Sequence, residues 1–229
     1  MKIILTGATG HIGRELLTQC LAHKSITSVI ALSRRDLGVT NPKLRIHLMQ
    51  ESDFLTYDDP ALVEELKGAS ACLWAIGLRP SQAGSDERTR VVSLDYTQRA
   101  AEGFQRVFEA SLSSLEGRKR KFRFVYISGA GVERNQNQSL WYMGDFRRLR
   151  GEAENILLRH AQANSGSFEA YIMRPGLVPS TQGTLKDLLW GLATSVRVDH
   201  LSRAMIDIAI GGHEKTTFEN QDIIELGQR

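Results

Sequence analysis

Residues 6–13 read Thr-Gly-Ala-Thr-Gly-His-Ile-Gly, directly after the apolar run Ile3-Ile4-Leu5. Glycines at 7, 10 and 13 have the spacing of a dinucleotide-binding loop. Gly7 permits the tight turn, Gly10 lets backbone approach a pyrophosphate, and Gly13 lets a helix pack close to its strand. Free N–H groups at the start of the following helix, with its dipole, would hold the phosphates. Thr9, Gly10, His11, Ile12 and Gly13 are therefore candidate cofactor contacts with Gly7. The alternative, a structural glycine turn without a ligand, is disfavoured by the strand before the loop and the helix after it. Further along, Ser33-Arg34-Arg35 stands where an acidic residue would hold the ribose 2′-OH of NAD. Guanidinium forks suit a 2′-phosphate, so Arg34 and Arg35 predict NADP(H) rather than NAD(H). The alternative is that one of them is only a solvated loop charge. Asp36 follows both arginines and falls in the loop.

Other reactive side chains are sparse. Cys20 and Cys72 lie in apolar stretches without metal-ligand spacing, and no His/Cys/Asp/Glu set is spaced for a metal. His11 reads as a packing residue or a phosphate contact. Trp141 and Trp190 read as walls of an apolar pocket or as core. The run Arg118-Lys119-Arg120-Lys121 reads as a solvated loop ahead of a strand, the alternative being a partner patch.

The positioning elements alternate in type. Strands are predicted at Lys2–Thr6, Ser28–Ser33, Leu44–Gln50, Ala71–Ala75, Phe122–Ser128 and Ala170–Arg174. Helical periodicity falls near His11–His23, Asp58–Leu66, Asp86–Leu115 and Asp145–Ala163. That order implies a Rossmann-type α/β fold, a doubly wound parallel sheet with helices on both faces. The 229 residues fit one domain, 1–229. From Pro175 onward the alternation lapses into a loop, helices near Thr184–Ala193 and His200–Ile210, and a short tail. Residues 175–229 are thus expected to form a small extension roofing a substrate pocket.

A hydrophobic content of 41%, a charged content of 24% and a net charge of +3 describe an ordinary globular chain and give no support for a nucleic-acid partner. Apolar runs are too short to be a signal peptide or to span a bilayer. A cytoplasmic protein with a small-molecule substrate, and no membrane partner, is expected.

The chain resembles the atypical branch of the short-chain dehydrogenase/reductase superfamily. It is most similar to the Tat-interacting-protein-like oxidoreductases, and more distantly to NmrA-like proteins. The resemblance spans nearly the whole length. It is carried by Thr6–Gly13, Trp74-Ala75-Ile76-Gly77 with Gln82-Ala83-Gly84, Asp95-Tyr96, Ile127-Ser128-Gly129, Gly151-Glu152-Ala153-Glu154 and Met173-Arg174-Pro175-Gly176. It implies that Asp53 and Phe54 cap the adenine and that Ala75, Ile76 and Gly77 line the ribose and pyrophosphate. It also implies backbone contacts from Arg174–Val178, Pro175 and Val178 included, near the nicotinamide.

Catalysis in that superfamily uses a Tyr-x-x-x-Lys pair on one helix and a serine ending the preceding strand. The serine here is Ser128, but the pair reads Phe146 and Arg150. Spacing of four puts both on one helix face. Phenylalanine has no proton to give, and arginine keeps its positive charge but does not exchange protons. Tyr142, one turn earlier, would join that face if the helix already began there, although Gly144-Asp145 looks like a helix start. Tyr96 is a second candidate donor. Three functions follow: an NADP(H)-dependent oxidoreductase on a small carbonyl or conjugated compound, with Ser128, Tyr142 or water giving the proton; a non-redox isomerase holding NADP structurally; or a cofactor-sensing protein.

Overall fold

The computed structural model describes residues 1–78, 86–112, 120–179 and 195–228. Its strands are β1 (Lys2–Thr6), β2 (Ser28–Ser33), β3 (Leu44–Leu48), β4 (Ala69–Trp74), β5 (Phe122–Ile127), β6 (Phe168–Arg174) and β7 (Thr217–Glu219). All pair in parallel in one sheet of order β3-β2-β1-β4-β5-β6-β7. The helices are α1 (His11–Ala22), α2 (Pro60–Leu66), α3 (Asp86–Arg90), α4 (Tyr96–Leu112), α5 (Gly144–Ala163), α6 (Val198–Gly211) and α7 (Asn220–Gly227).

The pleat explains why the central strands read as continuous apolar runs: both faces are covered. Ile4, Cys72, Trp74, Phe122, Phe124 and Ile172 face one layer, with Phe104 and Phe108 of α4 and Leu157 of α5. Ile3, Leu5, Ala71, Leu73, Val125 and Met173 face the other, with Leu16 and Cys20 of α1 and Leu201 and Met205 of α6. Gly103 lets α4 approach the loop after β3, since a Cβ there would lie 2.7 Å from Cβ of Tyr57. Among the described residues no helix is long and apolar enough to cross a membrane.

Six predicted strands form, with ends shifted by at most two residues, and the sheet is the doubly wound one expected. Two elements were not anticipated, β7 and α7. A three-residue strand with one buried side chain, Phe218, carries no period to read. The helix after it starts from a capping box between Glu219 and Asp222 rather than from Ser or Thr. The helix expected over 86–115 is interrupted by a π-helical turn, Val91–Asp95. Helix α6 packs on α1 and against β4 and β5 and so belongs to a covering layer. The predicted helix 184–193 and Trp190 lie outside the described residues, as do Gln82-Ala83-Gly84.

Chain order reverses between β1 and β4, and the carboxyl ends of those two strands part there. Thr6 Oγ accepts the backbone N–H of Ala75 at 3.1 Å and ties the two ends together below the gap. In open α/β sheets a ligand crevice lies at this point.

Candidate functional site

The glycine loop crosses the gap between β1 and β4. Gly7 adopts φ +69°, and a Cβ on it would lie 2.4 Å from the Ala75 carbonyl oxygen. A Cβ on Gly13 would lie 2.0 Å from the Gly7 oxygen, so α1 packs on the turn only as glycine. Gly10 differs: a Cβ there would meet only the Gly7 oxygen, at 3.2 Å. Its bare side opens on the cleft, the cradle a phosphate needs. Gly10 is also the N-cap of α1, with no side chain capping it, and N–H groups of a first helical turn have no partner inside the helix. The Ile12 side chain packs into the apolar layer, leaving its backbone for the loop. His11 Nε2 is buried without a partner.

A cleft of about 550 Å³ runs along this loop, between Ser33-Arg34-Arg35 after β2, Glu51 and Phe54 after β3, and Ala75-Ile76-Gly77 after β4. Arg88, Val92 and Tyr96 close it from α3, the π turn and α4. π-Helical turns recur at functional sites, and this one brings Val92 and Tyr96 to the cleft together. Phe54 and Tyr96 stack with ring centroids 5.1 Å apart. Tyr96 therefore sits beside Phe54 at the β2–β3 end of the cleft. Burial, then Glu51, pushes its hydroxyl above the usual phenol range. Asp53 turns its carboxylate inward, accepting the Gln50 N–H at 2.6 Å and the Ser52 hydroxyl at 3.2 Å. It shapes the 3-10 turn that presents Phe54 and does not itself line the cleft.

Glu51 and Arg88 were not anticipated. Glu51 accepts from Arg34 at 2.8 Å and from Arg88 at 3.3 Å. Nothing in their spacing announces the triad, because the parallel pairing of β2 with β3 and the entry of α3 assemble it.

At the other end, Phe146 and Arg150 share one face of α5. The guanidinium carbon of Arg150 stands 5.7 Å from the Phe146 ring centroid. Arg150 Nη2 donates to the Ile127 oxygen at 3.1 Å and is the nearest atom to a Cβ built on Gly77, at 4.0 Å. Arg150 thus spans from the end of β5 towards the end of β4, and its Nε is buried without a partner. An orphaned donor at that spot suits a ribose hydroxyl. Gly151 sets the depth of α5, since a Cβ there would lie 1.8 Å from the Glu133 oxygen. Tyr126 is buried beside Arg150, and burial raises its hydroxyl while Arg150 pulls it the other way.

Two expected proton donors are placed differently. Ser128 is buried and its hydroxyl donates to Glu154, a fully buried carboxylate. Glu154 also accepts Arg134 Nε at 2.6 Å and Arg174 Nε at 2.9 Å. In this arrangement the Ser128 hydroxyl proton is engaged by a carboxylate. Tyr142 lies outside α5: Met143, at φ 50° in the left-handed region, is the N-cap, and the helix begins at Gly144. The face 142/146/150 does not form, and Tyr142 is 58% exposed beside the 96% exposed Trp141. After β6, the Pro175 oxygen accepts the Ala130 N–H at 2.8 Å and Gly176 N–H donates to Asn220. Val178 packs against the apolar layer. Of the basic run, Lys121 pairs with Glu169 at 3.3 Å, and Arg118 and Lys119 lie outside the described residues.

No family model matches the chain. It is 29% identical over 205 residues to leucinostatins biosynthesis cluster protein T of Purpureocillium lilacinum, covering 82% of this chain and 70% of that one. It is 26% identical to protein HTATIP2 of Rattus norvegicus, across 99% and 89% of the two chains. With the mitochondrial protein FMP52-1 of Scheffersomyces stipitis it shares 25% identity, across 86% and 75%. A short-chain dehydrogenase from Burkholderia cenocepacia in complex with NADP has the same fold, with a TM-score of 0.64 at 14% identity over 98% and 91% of the chains. So has MoeE5 in complex with UDP-glucuronic acid and NAD, with a TM-score of 0.66 at 18% identity over 95% and 74%. One of these two carries NADP and the other NAD, so likeness of fold leaves the choice to local residues. Strand order and glycine loop are those of the Rossmann-type fold that carries NADP or NAD in these two structures, and the chain is similar over most of its length to HTATIP2 and FMP52-1.

Proposed function

We propose that this protein binds NADP(H) and acts as an oxidoreductase on a small carbonyl or conjugated compound in the cytoplasm. The observation that carries this reading is the cleft at the β1/β4 gap, with a bare Gly10 at its middle, arginines at its β2 end and the orphaned Arg150 donor at the other. When bound, the cofactor supplies or takes the hydride. Gly10 and the first turn of α1 hold the pyrophosphate, Phe54 covers the adenine, and Arg150 holds the nicotinamide ribose. Phe146 walls the reacting face with an apolar ring. The proton then comes from water, since Phe146 has none, Ser128 points its own into a hydrogen bond with Glu154, and Tyr142 stands before the helix. Forgoing a positioned general acid costs about 10²–10⁴-fold in rate. The same apolar wall favours a second reading, in which NADP(H) is held structurally for an isomerisation or sensed without turnover.

Cofactor choice tests the first part. Charge-assisted hydrogen bonds contribute ~1.5–3 kcal/mol, and about 1.4 kcal/mol is tenfold in affinity. NADPH is expected to bind at least about tenfold more tightly than NADH by calorimetry. Equal affinities would overturn the assignment.

Gly10→Val tests the phosphate cradle. The added branches fill the bare side of the loop, so binding is expected to be lost, while a native circular dichroism spectrum and melting curve are retained. Unchanged NADPH affinity would put the phosphates elsewhere.

A further inference from the structure

The turn after β5 packs on the start of α5, where Arg147 follows Phe146 in the chain and is partly buried. Arg147 Nε donates to the Gly131 oxygen, and its backbone oxygen accepts the Glu133 N–H at 3.2 Å. The guanidinium is thereby fixed along one edge. Its Nη1 and Nη2 have no hydrogen-bond partner among the described residues. We infer that this fork is a carboxylate site, and that Arg147 is a specificity-determining residue for a carbonyl substrate that is also an acid.

Local charge supports this assignment. The carboxylates near Arg147 in the chain are engaged elsewhere: Asp145 by Arg148 at 2.6 Å, Glu152 by Arg90 at 3.9 Å, and Glu154 by Arg134 and Arg174. Glu133 accepts the Asn135 N–H at 2.7 Å. Arg147 has no ion-pair partner among the described residues. It also stands in the first turn of α5, which begins at Gly144. The helix dipole opposes a cation there, whereas an anion seated on that cation satisfies both. Room is present as well. A Cβ built on Gly129 would meet no described atom within 4 Å, and the Ala130 N–H on the Pro175 oxygen holds that turn against the end of β6. Tethering Nε costs side-chain entropy that a merely solvated charge would keep. A planar fork with one positive charge matches the two oxygens and single charge of a carboxylate. The second charge of a phosphate would call for another cation, and Arg150 is turned to the Ile127 oxygen at 3.1 Å.

The inference rests on the reductase reading, and two readouts keep them apart. Phenylglyoxylate, 4-carboxybenzaldehyde and succinic semialdehyde place the carboxylate at different distances from the carbonyl. Each is assayed beside its methyl ester for NADPH oxidation, and each is titrated by calorimetry into the protein with NADP⁺ present. The unmodified protein is compared with Arg147→Met and Arg147→Lys, and melting curves are recorded for all three. At least one acid is expected to exceed its ester by about tenfold in kcat/KM and in affinity, one charge-assisted contact. Arg147→Met is expected to remove that preference through KM, with kcat/KM for the ester and NADPH affinity within about twofold. Arg147→Lys keeps the charge without the fork and is expected to fall between. Should Arg147→Met fail to fold, Arg147→Lys carries the comparison, and an undiminished preference there overturns the role of Arg147. A preference that survives Arg147→Met overturns it too. So does an equal loss of acid and ester, since Arg147 would then act only on the Gly131 turn. Acids and esters treated alike by the unmodified protein, or neither bound, overturn the carboxylate site, while turnover of the esters leaves the reductase reading standing. Acids bound more tightly through Arg147, with no compound turned over, keep the site and overturn the reductase reading.

Discussion

Replacing Glu154 with alanine is expected to destabilise the fold by about 3–5 kcal/mol, the range for removing one partner of a buried ion pair. Glu154 is fully buried and receives three side chains, Ser128, Arg134 and Arg174. Without it two guanidinium groups face a cavity with no counter-charge. The lower end of the range is expected, because Arg174 keeps Glu219 at 3.0 Å and the Arg134 side chain is 32% exposed. For a chain of this size that corresponds to a melting temperature lower by roughly 6–12 °C. Glu154→Gln keeps the volume and the Ser128 contact and should fall between the two. Urea unfolding with fitted midpoints and slopes measures both variants. A Glu154→Ala midpoint within experimental error of the unmodified protein would mean that the cluster holds nothing together.

That cluster also shows where sequence reading stops. Ser128 and Glu154 both carry the family resemblance, yet their bond is invisible in the sequence. A glutamate on a helix between Ala153 and Asn155 reads as a solvated charge, and only the packing of α5 on the sheet buries it. The glycine loop was legible because its chemistry is local: strand, turn and helix N-terminus lie within eight residues. The arginines after β2 were legible for the same reason. The engagement of Arg34 by Glu51 was not, since β2 and β3 must first pair in parallel, with Ser33 beside Leu48. The Phe146–Arg150 face followed from helical spacing alone. The start of α5 was readable too, in Gly144-Asp145, and it excludes Tyr142 from that face. What escaped the sequence throughout is long-range pairing and the short β7, whose one buried residue gives no pattern.

Phe146→Tyr is expected to raise NADPH oxidation with small carbonyl compounds by about 10²-fold or more, the lower range for a positioned general acid. The ring already lies on the face of α5 shared with Arg150, whose guanidinium carbon is 5.7 Å from its centroid. A hydroxyl added at its tip would have a fixed cation one turn away. That cation favours the phenolate over the phenol and so lowers the phenol pKa, as required of an acid that must release its proton during the reaction. Arginine itself stays protonated, so the tyrosine must be reprotonated from solvent, and the gain should stop short of what a Tyr–Lys pair reaches. Tyr142→Phe is expected to leave the rate within about twofold, because Tyr142 lies ahead of the left-handed Met143 and outside α5. Both variants are compared with the unmodified protein on the same carbonyl panel, after NADPH binding is measured for each. Should Phe146→Tyr bind NADPH normally and leave the rate unmoved, the face that Phe146 walls is not where hydride is exchanged. The non-redox reading would then replace the reductase. If Tyr142→Phe instead fell by about 10²-fold, the proton would come from the segment before α5, and water would no longer be its source.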